Sequence, residues 1–176
     1  VKSIIDMTNE ASSKLFEEGH RLIGELLGYN AYNNNTTAAP DPYWVLNNKL
    51  CFVFEDKSDG DPDTPVSVSK TREAAGHVNW IKANASLDDD AHIFTIMITG
   101  AKTIDKHALP HANNIYYWHI DSFRDWVKKA INLIRPLKLS LVSRGDLFWR
   151  SNASEEFRKG GLDPLSLIKF FEDHPL

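Results

Sequence analysis

Two short apolar runs separated by a turn constrain the fold of this chain more than any other feature. Tyr43–Leu46 and Leu50–Phe54 have the composition of β-strands, and Asn47-Asn48-Lys49 between them is rich in turn-forming residues. The sequence therefore predicts a β-hairpin. Its second strand continues without glycine or proline into Glu55-Asp56-Lys57, although a strand buried on both faces is expected to end where charge begins.

The predicted hairpin brings charged residues together. A turn centred on Asn48 pairs residues whose numbers add to 96, which places Asp41 opposite Glu55. Because side chains alternate along a strand, Glu55 and Lys57 share one face, and Asp56 points to the other. Two close carboxylates repel each other unless a divalent cation takes oxygen ligands from both, and a lysine beside them can orient or deprotonate a water molecule. The pattern indicates a metal-dependent centre for hydrolysis of phosphodiesters.

The remaining periodicity predicts further helices and strands. The predicted fold is α/β or α+β, with a central mixed sheet of about four to five strands and helices packed on both faces. We expect the helix after residue 120 to use Ser122 and Asp125 as a capping box and to end at Pro136. The predicted elements outside the hairpin are a helix over Asn9–Leu27, a helix near Lys70–Ala83, strands over Ile93–Thr99 and Ile115–Ile120, a helix over Asp121–Ile134 and a last helix from Asp163-Pro164 to Glu172.

Length and composition favour one compact unit. The chain has 176 residues, of which 42% are hydrophobic, so we expect a single domain over residues 1–176. It does not begin with methionine, which indicates a processed chain or a domain cut from a longer protein. No run approaches the ~18 consecutive apolar residues of a membrane helix, and the one cysteine, Cys51, lies in a predicted core strand. These features predict a cytoplasmic protein without a membrane partner.

Charge is distributed unevenly along the chain. The net charge of −4 argues against binding of polyanions through overall charge. Residues 1–100 carry eight Lys and Arg against fifteen Asp and Glu, and residues 101–176 carry twelve against nine. An acidic site beside a mildly basic body suits metal-dependent work on a phosphate chain, and it is equally what an ordinary solvated surface looks like.

The charged residues of the hairpin resemble a known nuclease motif. Pro40-Asp41 followed fourteen positions later by Glu55-Asp56-Lys57 is similar to the PD-(D/E)xK motif of the restriction-endonuclease-like nuclease superfamily. Phe16-Glu17 and Leu27-Gly28-Tyr29 resemble the first helix of its Mrr-like branch. The later order of elements is similar to the cleavage domain of type IIS restriction endonucleases. Asp56 departs from the motif, because hydrophobic or small polar residues are more usual there.

The resemblance implies a function and a set of site residues. It implies a Mg²⁺-dependent endonuclease, with Mn²⁺ able to substitute, that acts on double-stranded DNA in restriction or antiphage defence. Asp41 and Glu55 would bind the metal, Glu17 would join them, and Lys57 would position the attacking water. Lys70 and Arg72, at the start of the helix after the hairpin, are candidates for contacts with nucleic-acid phosphates. The chain is small, so we expect a separate specificity domain or subunit and a transient homodimer for cleavage of both strands.

Other interpretations of the same residues remain open. The chain could be a catalytically silent nuclease fold used for DNA binding or assembly, or a defence nuclease that acts on RNA or is activated by a second messenger. Asp41, Glu55 and Lys57 could form an ordinary surface ion pair. Weaker alternatives are a calcium loop over Asp59–Asp63, a zinc site at His107 and His111, base stacking on the five tryptophans, and a DNA-reading loop over Asn33–Thr37.

Overall fold

A mixed five-stranded β-sheet with helices on both faces forms the centre of the protein. The structure is a computed structural model, and it describes residues 3–10, 12–34, 36, 39–58 and 60–176. The strands are β1 (Asn30–Tyr32), β2 (Asp41–Leu46), β3 (Leu50–Lys57), β4 (His92–Thr99) and β5 (Ile115–His119). The helices are α1 (Ile4–Thr8), α2 (Ser13–Leu26), α3 (Val68–Asn84), α4 (Ile120–Ser140), α5 (Leu147–Gly160) and α6 (Pro164–Glu172), with a short 3-10 helix at Leu109–His111.

The sheet follows the order of the chain, β1-β2-β3-β4-β5. Strand β2 is antiparallel to both β1 and β3, whereas β4 is parallel to both β3 and β5. Helix α3 makes the crossover between β3 and β4, as a parallel connection requires. This arrangement confirms the predicted fold class, a mixed sheet flanked by helices, and it places β3 at the centre.

Alternate residues of β3 pack into different cores. Phe52 and Phe54 join a large core formed with α2, α4 and α6. Cys51 and Val53 face the opposite side, where Ile81 of α3 covers them. We call these two sides of the sheet the α2 face and the α3 face. The alternation determines where each charged residue at the end of β3 points.

The register of the hairpin is confirmed only in part. Tyr43 pairs with Val53 and Leu46 with Leu50, as a turn centred on Asn48 requires. Between Asp41 and Tyr43 the register shifts, so that Asp41 lies opposite Phe54 and the predicted pairing with Glu55 is wrong. Pro42 is the extra residue. Proline has no N–H to donate to the ladder, so it is accommodated in a β-bulge at this point.

The helices depart from prediction at their ends. The helix predicted over Asn9–Leu27 corresponds to α2 alone, which begins only at Ser13, and the short helix α1, capped by Ser3, precedes it without having been predicted. Helix α4 begins at Ile120 with His119 as its N-cap, so the predicted capping box of Ser122 and Asp125 is wrong.

Helix α4 also continues past Pro136 to Ser140, contrary to prediction. Helix α5, which the sequence analysis missed, packs against this last part of α4. The indole N–H of Trp149 donates to the Leu137 carbonyl at 3.0 Å, and Leu137 itself is buried. This packing stabilises the final turn in spite of the hydrogen bond that proline cannot make. The last helix agrees with prediction, with Asp163 as its N-cap and Pro164 in its first turn.

Candidate active site

The charged end of β3 is buried. Glu55 is 2% exposed and Asp56 is 3% exposed, because β3 is an inner strand of the sheet and helices cover both of its faces. Since side chains alternate, Glu55 points to the α3 face and Asp56 to the α2 face. Charged groups in such a position require partners, because desolvation of an unpaired charge is costly.

Both oxygens of the Glu55 carboxylate have a neighbour. His77 of α3 lies 2.6 Å from Oε2 through its Nε2 atom. The Lys57 ammonium group contacts Oε1. Glu55 and Lys57 therefore form an ion pair on the α3 face, as the alternation along the strand predicts.

Asp41 joins this pair from the neighbouring strand. Its Oδ2 atom accepts a hydrogen bond from the backbone N–H of Asp56 at 2.8 Å and lies 3.8 Å from Lys57 Nζ. The β-bulge changes the residue opposite Asp41, but the carboxylate still reaches the end of β3. The structure thus brings together Asp41, Glu55 and Lys57, with the lysine between the two carboxylates.

Asp56 has a separate partner on the α2 face. Its Oδ2 atom lies 2.8 Å from Nδ1 of His20, which is fully buried. The imidazole ring packs against Trp44, Phe54 and Phe123, with ring centroids 4.3–5.0 Å apart. This contact gives a structural reason for an aspartate at the variable position of the motif. His20 was not predicted as a site residue, although a histidine between Phe16 and Ile23 on the apolar stripe of α2 indicates a buried polar contact.

The carboxyl groups of the site have opposite pKa shifts. Burial, followed by the charges of Asp56 and Glu55, raises the pKa of Asp41 to about 8. Burial also acts to raise the pKa of Glu55, but His77 and Lys57 outweigh it and the pKa is lowered. Burial acts to lower the pKa of Lys57, but Glu55 and Asp41 outweigh it and the pKa is raised. Of these three groups, Asp41 is the one whose ionised form is least well compensated in the metal-free site.

Glu17 lies at the edge of the same cluster. Burial raises its pKa, and the charges of Asp56 and Glu55 act in the same direction. Asn33 opposes this shift with a hydrogen bond of 3.5 Å to Oε2. Glu17 lies about one helical turn before His20 on α2. The helix whose His20 contacts Asp56 of β3 therefore also brings Glu17 towards the site.

The two predicted phosphate-binding residues are placed differently. Lys70 lines a cleft of about 180 Å³ together with Lys57, Ser67 and Thr99, and it pairs with Glu73 at 2.9 Å. Arg72 is exposed and donates from Nε to His111 at 3.1 Å, and it does not line this cleft. The structure therefore brings Lys70, but not Arg72, next to Lys57.

The carboxylate groups of Asp41 and Glu55 are of the chemical type that binds Mg²⁺. In the described part of the chain, no three Asp, Glu, His or Cys side chains form a group that could hold a metal ion by themselves. Mg²⁺, however, is usually bound through one or two carboxylates and keeps several waters. Asp41 and Glu55 offer such oxygen donors, and a divalent cation would offset the burial and the repulsion from Asp56 and Glu55 that raise the pKa of Asp41.

The weaker alternatives gain no support from the geometry. His111 accepts a hydrogen bond from Arg72, and among the described residues neither His107 nor His111 belongs to a group of three or more metal-ligating side chains. Trp44 and Trp118 are buried in the core. The proposed calcium loop includes Asp59, and the proposed DNA-reading loop includes Asn35 and Thr37; these residues lie outside the described part of the chain.

Comparison with known proteins gives a structural similarity and no sequence relative. The chain matches no protein-family model and no curated protein. Among solved structures, it is similar to the restriction endonuclease FokI, with a TM-score of 0.51 and 10% sequence identity. The chain has a restriction-endonuclease-like fold. At this identity the similarity shows the fold alone.

The match to FokI is partial in both proteins. It covers 73% of this chain and 27% of the FokI chain, so the chain corresponds to about a quarter of that protein. No helix among the described residues combines the length and the apolar composition needed to cross a bilayer.

Proposed function

We propose that this chain is a Mg²⁺-dependent endonuclease domain of the PD-(D/E)xK type that cleaves double-stranded DNA. The observation that carries the proposal is the meeting of Asp41, Glu55 and Lys57 at the end of the central strand of a restriction-endonuclease-like fold. A surface ion pair would not need two such carboxylates, one of them almost fully buried, around one lysine.

Each residue has a role in this proposal. Asp41, Glu55 and a backbone carbonyl near Asp56 hold the metal, and Glu17 supports it. When bound, Mg²⁺ supplies a Lewis acid for the phosphate and lowers the pKa of a coordinated water. The ammonium group of Lys57 orients the attacking water and balances charge that develops on the phosphate oxygens. Lys70 contacts a neighbouring phosphate from the adjoining cleft.

The proposed partners follow from the size of the chain. Residues 1–176 form one nuclease domain, and recognition of a DNA sequence belongs to another domain or subunit. The net charge of −7 over residues 1–100 disfavours tight binding of DNA through charge alone. We therefore propose that the domain by itself binds DNA weakly. We also propose that it acts in the cytoplasm and that Mn²⁺ can substitute for Mg²⁺.

Cleavage of supercoiled plasmid tests the proposal directly. The wild type should nick plasmid with Mg²⁺ or Mn²⁺ and not with chelator. Asp41→Ala, Glu55→Ala and Lys57→Ala should each lower the rate by at least ~10²-fold, because the first two remove a proposed metal ligand and the third removes the group that orients the water and balances charge on the phosphate. Single-stranded DNA and RNA in the same series would rank the substrates.

Lys49→Ala is the matched control for Lys57→Ala. Lys49 lies at the opposite end of the same hairpin, where it contacts Asp88 and Asp90 on the surface. Its removal should leave the cleavage rate unchanged. Full activity of Lys57→Ala would refute the assignment.

A further inference from the structure

The side chain of His77 forms a short hydrogen bond with the Glu55 carboxylate. It projects from the middle of α3, is 3% exposed, and places Nε2 2.6 Å from Oε2 of Glu55. An ionised carboxylate only accepts hydrogen bonds, so the His77 Nε2–H group is the donor. The bond leaves the other oxygen, Oε1, on the side of Lys57.

The position of His77 on α3 explains why its side chain is directed at the site. Ala74 and Ile81, three residues before it and four after it, lie on the same buried stripe of the helix. An apolar residue at this position would pack as its neighbours do. A histidine costs desolvation that is offset by its hydrogen bond to Glu55.

We infer that His77 is a positioning residue for Glu55. It holds the carboxylate in one rotamer, with Oε2 occupied by the imidazole and Oε1 directed to the Lys57 side. This inference rests on the proposed function, because it concerns the metal-binding role of Glu55. Partners that orient a metal-binding group in this way typically contribute about 10–100-fold to metal affinity.

A pair of substitutions at His77 separates orientation from packing. Methionine and glutamine are both unbranched and of similar length, but only glutamine can donate a hydrogen bond to Glu55. His77→Met should weaken Mn²⁺ binding by about 10–100-fold. His77→Gln should restore most of the affinity. Titration calorimetry with Mn²⁺ on the whole chain, without nucleic acid, gives the dissociation constants.

His20→Met is the control for burial. His20 is also a buried histidine that contacts a carboxylate of β3, but its partner is Asp56 on the α2 face. This variant should lower the melting temperature about as much as His77→Met and leave Mn²⁺ affinity near that of the wild type. A positioning role also predicts that a higher Mg²⁺ concentration restores cleavage by His77→Met.

The outcomes distinguish this inference from the proposed function. If Mn²⁺ binds the wild type and Asp41→Ala with equal affinity, or binds neither, the proposed metal site is rejected. If the wild type binds Mn²⁺ through Asp41 and Glu55 and His77→Met binds it equally well, the role of His77 is overturned. Equal loss of affinity in His77→Met and His77→Gln would also overturn it, because the hydrogen bond would then not be the cause.

Discussion

At the scale of single residues, the site contains two carboxylates with different degrees of compensation. Glu55 has His77 and Lys57 as partners. Asp41 has one backbone N–H at 2.8 Å and a lysine at 3.8 Å. Their pKa values are therefore shifted in opposite directions, upward for Asp41 and downward for Glu55. A cation that binds between them would relieve Asp41 most.

The raised pKa of Asp41 predicts a pH-dependent loss of stability in metal-free protein. The folded-state pKa is about 8 and the ordinary value is 3.8, so the folded state holds more protons than the unfolded state between these values. The free energy of unfolding should thus fall as pH rises from about 4 through 8. Asp41→Asn should remove this loss and exceed the wild type by at least ~1 kcal/mol at pH 9, since one pKa unit corresponds to about 1.4 kcal/mol. Urea unfolding with chelator at pH 6 and 9 measures the difference.

Glu55→Gln provides a comparison of opposite sign. The pKa of Glu55 is lowered, so its ionised form stabilises the fold above the ordinary pKa, and this contribution is lost as pH falls through the folded-state value. Glu55→Gln should therefore lower stability at neutral pH. A stabilising effect of Glu55→Gln at pH 7 would contradict the hydrogen bonding described for this residue.

Prediction from sequence succeeded for residues that share a hairpin and failed for contacts between distant elements. Asp41, Glu55 and Lys57 could be brought together from strand alternation and one turn. His77 and His20 lie 22 and 36 residues away from their carboxylate partners, and local periodicity gives no information about such pairs. The bulge at Pro42 shifted the register by one residue, which pairing rules for a regular ladder cannot anticipate.

At the scale of elements, the site depends on how closely α2 packs on the sheet. Gly24 of α2 lies over Trp44 of β2, and a Cβ atom built on Gly24 would be 2.6 Å from Cδ1 of that indole. The absence of a side chain allows this close approach. Helix α2 also carries Glu17 and His20, so the contact at Gly24 sets the distance of both residues from the end of β3.

Alanine substitutions at two helical glycines should have opposite effects. Gly24→Ala should lower the free energy of unfolding by roughly 1–3 kcal/mol, because the added methyl group overpacks the contact with Trp44. Gly76→Ala in α3 meets no atom within 4 Å and should raise it by roughly 0.5–1 kcal/mol. Chemical denaturation of both variants is the measurement. Equal changes in both would show that helix propensity, and not packing, governs position 24.

The ends of the helices show where element prediction reaches its limit. Proline disfavours a helix interior, yet α4 passes through Pro136 because α5 packs on its last turns through Trp149. Strand β1 has three residues and no strong pattern of its own, and it forms by pairing with β2. In both cases a tertiary contact outweighs the local preference.

At the scale of the whole molecule, one chain carries one candidate site. The fold class was predictable because the hairpin, the helix that follows it and two further strands have clear periodicity, whereas the order of the strands in the sheet was not predicted. The direction from which a nucleic acid would approach could not be predicted, because it depends on which charged residues from distant segments lie on the same surface. A duplex has two antiparallel strands, so a single site can cut only one strand in a single binding event.

The concentration dependence of cleavage should reveal a transient dimer. At low protein concentration the rate of double-strand breakage should rise with about the second power of concentration, whereas nicking should rise linearly. Plasmid cleavage over a dilution series at fixed Mg²⁺ measures both orders. Linear double-strand breakage throughout the series would mean that one chain cuts both strands in succession.

The position of Asp41, Glu55 and Lys57 within one hairpin has a consequence for folding. These charges meet when residues 41–57 close on each other, a local event that takes about 1–10 μs in isolated hairpins. His77 and His20 arrive only when α3 and α2 dock on the sheet. We therefore expect the repulsion between the carboxylates, offset only in part by Lys57, to act before His77 and His20 are in place. We expect Mg²⁺ to accelerate refolding, and stopped-flow measurements with and without the ion would test this.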